Sequence, residues 1–122
     1  MIVYKWVIKK HNQYYPIINN GAYKPFLNFQ LQSYSKGITI KNAINPNNQL
    51  GLVVRQHGFH RDGFHFWKYI DTKQLQQYNK CMKTLANTSI NCTLKCFVRN
   101  KDIIMQDNQR VIAKKFRILQ EI

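Results

Sequence analysis

Ile90-Asn91-Cys92-Thr93-Leu94-Lys95-Cys96-Phe97-Val98-Arg99 has a period of two over ten residues. Ile90, Cys92, Leu94, Cys96 and Val98 occupy one phase, and Asn91, Thr93, Lys95, Phe97 and Arg99 the other. Successive side chains of a strand point to opposite faces, so this pattern predicts a strand with one face on a core. Immediately upstream the period changes. Leu75, Tyr78, Met82 and Leu85 recur at helical spacing, with Lys73, Gln77, Lys80 and Thr84 on the opposite side. Asp71 is a good N-cap, Gln74 three residues later completes a capping-box pattern, and Asn87-Thr88-Ser89 ends the helix, which is expected over about 72–87.

Downstream, Asn100-Lys101 turns into a strand from Asp102 to Gln106, and Asp107-Asn108 turns into another from Arg110 to Leu119. Val111 and Ala113 share one face of that last segment, whereas Phe116 and Ile118 fall on the other; a bulge near Lys114-Lys115 reconciles the two halves. At the start of the chain, Ile2 to Lys10 reads as a strand with Val3 and Val7 on one face and Tyr4, Trp6 and Ile8 on the other. Tyr14 to Ile18 is its hairpin partner across Lys10-His11-Asn12-Gln13, and Asn19-Asn20-Gly21 is a turn. Residues 22–49 read as mostly loop with a short strand from Gly37 to Lys41, followed by a strand from Leu50 to Arg55. Phe64 to Tyr69 alternates, Phe64 and Phe66 one way, His65 and Trp67 the other. The expected fold is α+β, a single domain in which a mostly antiparallel sheet carries one main helix.

At 122 residues the chain suits one domain that buries roughly two thirds of its unfolded surface. A hydrophobic content of 44% argues for a packed core rather than disorder. No apolar run approaches the ~20 residues that span a bilayer, so no membrane partner is expected. The opening MIVYKWVIKK has neither a long apolar region nor a small-residue cleavage site, which points to the cytoplasm, or a host's cytoplasm. Cys81, Cys92 and Cys96 make an odd count without a CxxC pair and are expected as free core thiols.

Charge is the dominant feature. Nineteen Lys and Arg face five acids, Asp62, Asp71, Asp102, Asp107 and Glu121, for a net charge of +14. Residues 1–61 hold Lys5, Lys9, Lys10, Lys24, Lys36, Lys41, Arg55 and Arg61 and no acid, so that half cannot neutralise itself by internal ion pairs. Solubility alone asks for a net charge of only about 2–8. A bound polyanion would relieve the self-repulsion, and nucleic acid or a ribonucleoprotein is the first expected partner.

Aromatics interleave with cations at Tyr4-Lys5-Trp6, Tyr23-Lys24, Tyr34-Ser35-Lys36 and Phe66-Trp67-Lys68-Tyr69. Exposed aromatics on a sheet stack on single-stranded bases. Most of these rings are core by default; Trp67 is the expected exception, because Phe64 and Phe66 form the natural core pair on the other face. Lys73, Lys80 and Lys83 on the helix and Lys114, Lys115 and Arg117 in the last strand could follow a phosphate backbone, against the blander role of a solvated face or a guarded edge. His57, His60 and His65 stand close together with Arg55, Arg61 and Lys68. The spacing fits no standard zinc pattern. These groups would supply an acid, a base and a cation for a metal-independent ribonuclease, but chance supplies them too in so basic a chain. No Walker loop, GxGxxG, paired carboxylates or nucleophile elbow is present, so no cofactor is expected.

Gly63-Phe64-His65-Phe66-Trp67 ahead of a capped helix, with the closing Ala113-Lys114-Lys115-Phe116-Arg117-Ile118-Leu119-Gln120-Glu121-Ile122, resembles small phage and prophage accessory proteins. The resemblance implies no activity or site residues, only context: inhibition of host defence or regulation of host processes. The expected anion-binding set is Arg55, His57, His60, Arg61, His65, Trp67, Lys68, Tyr69, Lys73, Lys80, Lys114, Lys115 and Arg117. The leading expectation is a non-enzymatic binder of nucleic acid or of an RNA–protein complex. A small ribonuclease and a sponge for an anionic nucleotide are the alternatives.

Overall fold

The alternation at 90–99 becomes an interior strand of the sheet. The computed structural model describes residues 1–17, 25–33, 63–86 and 89–122, apart from the side chains of 81, 82 and 84–86. Within them are strands β1 (Ile2–Lys10), β2 (Gln13–Tyr15), β3 (Leu31–Ser33) and β4 (Phe64–Trp67), helix α1 (Thr72–Ala86), then β5 (Cys92–Phe97), β6 (Ile103–Gln106), β7 (Arg110–Ala113) and β8 (Lys115–Glu121). The strand order is β3-β8-β5-β1-β4-β7-β6, with β2 paired to β1, and every pairing is antiparallel. The sheet and helix agree with the α+β expectation. The expected strands at 37–41 and 50–55 and the turn at 19–21 lie outside the described residues. Leu31–Ser33 pairs as a strand inside a stretch expected to be mostly loop; β8 supplies the partner, which no local signal announces.

Local chemistry sets several boundaries. The β1–β2 hairpin turns through His11 and Asn12, both at positive φ (51° and 62°), the conformation of a two-residue type I′ turn that matches strand twist. Asp71 Oδ1 accepts the Gln74 backbone N–H at 3.0 Å, so the predicted N-cap starts α1. The amide of Asn79 then binds both the N–H (2.9 Å) and the C=O (3.2 Å) of Ile90, fixing the helix against the approach to β5. Gly63 leads into β4 at φ +108°, where a Cβ would come within 2.7 Å of Ile112 Cγ2 and 3.1 Å of the Ala113 carbonyl; only glycine fits.

The last strand resolves its two faces by bending. Lys114 alone separates β7, which pairs with β4, from β8, which pairs with β5. One segment therefore borders both sides of the β5-β1-β4 core, and the sheet must curl. The ring contacts show how far. β8 and β4 stand three inter-strand steps apart, about 14 Å in a flat sheet, yet the rings of Phe64 and Phe116 meet at 4.7 Å. The concave side holds Val3, Val7, Phe66, Leu94, Cys96, Val98, Val111, Ala113, Phe116 and Ile118, all buried. Both halves of the terminal segment thus face one core, as the proposed irregularity near Lys114 requires. On the other side of the sheet, α1 lays Tyr78 against Trp6 at 5.3 Å. No described helix is long and apolar enough to cross a membrane.

Candidate functional site

Two places combine cations with aromatic rings, one on each side of the sheet. Inside the curl, Lys5 projects from β1 among Phe66, Phe26, Phe64 and Phe116, with Nζ at 5.0, 5.6, 6.0 and 6.0 Å from the ring centroids. Its ammonium donates to the His65 carbonyl at 2.9 Å. Burial pushes the Lys5 amine down to about 8, partly opposed by the neighbouring Cys96. Cys96 itself is pushed up to about 12 and Cys92 to about 11, chiefly by burial, so both thiols are core groups rather than nucleophiles.

Outside the curl, pairing registers align a row across four strands: Leu31 on β3 faces Arg117 on β8, Arg117 faces Phe97 on β5, and Phe97 faces Ile2 on β1. Directly opposed residues share a face at about 4.5–5.5 Å. Leu31, Phe97 and Ile2 keep 43%, 41% and 41% of their surface exposed, an apolar strip that burial does not explain. Cations surround it. Lys95 precedes Phe97 by two residues on the same face, Arg99 follows by two, and Lys115 precedes Arg117 by two. Leu31, Phe97, Arg99, Lys115, Phe116 and Arg117 line a shallow cleft of about 170 Å³ together with Asp102.

The described acids are already engaged. Buried Asp102 binds Arg99 at 2.8 Å. Glu121 binds Lys9 at 2.8 Å and accepts the Tyr14 hydroxyl at 2.9 Å, contacts that hold its carboxyl below the usual range. Asp107 pairs with Arg110 and accepts the Gln109 and Arg110 backbone N–H groups, which lower it too. Among the described residues, Lys95, Lys115 and Arg117 make no ion pair.

The expected site residues separate accordingly. Lys115 and Arg117 border the cleft, and Lys114 is exposed at the bend beside them. Trp67 is not an exposed stacking ring: it is buried, with its centroid 4.9 Å from that of Trp6. The expectation failed because Trp6, packed in turn on Tyr78 of α1, makes this part of the outer face a second apolar layer. His65 is half-buried beside Trp67 in β4, Lys68 is half-buried with its N–H on the Gln109 carbonyl (2.8 Å), and Tyr69 is 70% exposed. Lys73 and Lys80 are exposed on α1. Arg55, His57, His60 and Arg61 lie outside the described residues. No group of three His, Cys, Asp or Glu is placed to hold a metal among the described residues.

Phe97, Arg99 and Leu31 are absent from the expected set. The signal for Phe97 was present, since it is the one aromatic in the polar phase of the 90–99 alternation. Searches of protein-family models, of curated proteins and of solved structures found no match for this chain.

Proposed function

We propose that this protein acts by binding an extended polyanion, with nucleic acid, free or within a ribonucleoprotein, as the partner. One observation carries the proposal: the exposed ring of Phe97 stands among Lys95, Arg117 and Lys115, cations that make no ion pair among the described residues. A chain of net charge +14 with its described acids already engaged keeps an unbalanced field, and released counterions then drive association with a polyanion. The cleft favours a polymer over a small nucleotide signal. Its volume of about 170 Å³ falls below the ~300–1,000 Å³ of pockets that engulf small ligands, so the partner lies across the face instead of inside it. The context that the phage resemblance implies, inhibition of host defence or regulation of host processes, is compatible with such a partner.

The test is the salt dependence of oligonucleotide binding. Affinity should fall steeply between about 50 and 200 mM salt. Affinity constant across that range would overturn the proposal.

A further inference from the structure

Resting on that reading, we propose that the Leu31–Arg117–Phe97 row is a base-stacking site for single-stranded nucleic acid. The Phe97 ring takes an unpaired base, and Lys95, Lys115 and Arg117 take the flanking phosphates.

Three observations select a single strand over a duplex. First, Phe97 is an apolar ring left 41% exposed on a strand, between Ile2 and Arg117 on the neighbouring strands. A paired base already has both faces stacked on its neighbours, and only an unstacked base offers a π-face to such a ring. Second, Lys95 stands two residues before Phe97 on β5 and Arg117 is the cross-strand partner of Phe97 on β8, so cations flank the ring along and across the strands, where the phosphates on either side of one unstacked base fall. Third, this part of the outer face consists of strands lying side by side, which form a platform and not a projection able to enter a groove. The charge pattern commits the surface to a polyanion: the one carboxylate lining the cleft, Asp102, is buried and held by Arg99.

Arg117 has a double role. Its cross-strand place beside Phe97 lets the guanidinium reach a phosphate or extend the stacking surface in the plane of the base. Leu31, on its far side, closes the cleft with an apolar wall.

The full chain should be titrated into a labelled mixed-sequence 12-nucleotide single strand and into the same sequence as a duplex, at about 100 mM salt, followed by fluorescence anisotropy. The wild type is expected to bind the single strand more tightly. Phe97→Ala should lose about tenfold on the single strand and little on the duplex, while Phe97→Trp keeps the affinity. Wild-type preference for duplex, equal single-strand affinity in Phe97→Ala, or polyglutamate bound as tightly as the oligonucleotide would each overturn the stacking site. If single strand and duplex bind equally with a steep salt slope, the polyanion reading stands and the stacking site falls. If neither binds at low salt, both fall. A far-ultraviolet melt of each variant establishes that it folds.

Discussion

Lys5 and Phe97 stand on adjacent strands and opposite sides of one sheet, and their surroundings are mirror images in composition. Inside the curl, one cation sits among four phenylalanines. Outside, one phenylalanine sits among cations. The same two residue types are combined twice, and burial decides what each combination does. The enclosed ammonium loses water and recovers only part of that cost from ring faces and the His65 carbonyl, so it is a burden on the fold. Lys95, Lys115 and Arg117 make no ion pair among the described residues, so they can exchange counterions for a partner's phosphates. A cation–aromatic pair is therefore a functional signal only after the face it occupies is known.

The largest expected effect tests whether the inner cluster holds the curl. Phe116 is buried and touches Phe64, Phe66 and Phe26. Phe116→Ala should cost about 3–5 kcal/mol and lower the thermal midpoint by roughly 10–20 °C. Phe97→Ala, on the other side of the same strands, should stay within about 0.5 kcal/mol of wild type. Equal losses at both positions would erase the distinction between the faces.

The next effect isolates the buried charge. Below about 8 the folded and unfolded chains both carry the Lys5 proton, and the cost of enclosing it is fully present. As pH rises from there toward the ordinary lysine value near ~10, the folded chain sheds that proton first, so stability increases through this window. Lys5→Met should raise stability at pH 7 by about 1–2 kcal/mol and remove this increase from a pH series of urea melts. A variant that keeps the wild-type pH profile would show that the amine is not the cause.

The smallest effect sharpens the outer face. Arg117→Gln and Lys115→Gln should each reduce the salt slope of oligonucleotide binding by about one, whereas Lys73→Gln on α1 should leave it unchanged. A slope that responds equally at all three positions would mean a diffuse positive field without a shaped site.

Much of this layout was legible residue by residue. The alternation at Ile90–Arg99, the cap at Asp71 and the facing of Val3 against Trp6 needed only local periodicity and hydrogen-bonding chemistry. The irregularity near Lys114 was legible as a conflict of phase, but not as the corner that lets one segment border both β4 and β5. Trp67 was misread because periodicity tells which residues share a face and not what covers that face. Tyr78, eleven residues later on α1, packs against the same Trp6 that Trp67 contacts.

The amino-acid sequence by itself determined the type of the principal helix and of the long strands, the helix start, the core-facing phase of β1 and β5 and an excess of positive charge. All of these follow from short-range spacing or from composition. Tertiary structure alone decided that Lys5 is enclosed, that Trp67 is covered, and that Leu31, Arg117 and Phe97 form one row. Those facts depend on pairing partners distant in the chain, through the register of β3, β8 and β5 and the curl closed at Lys114.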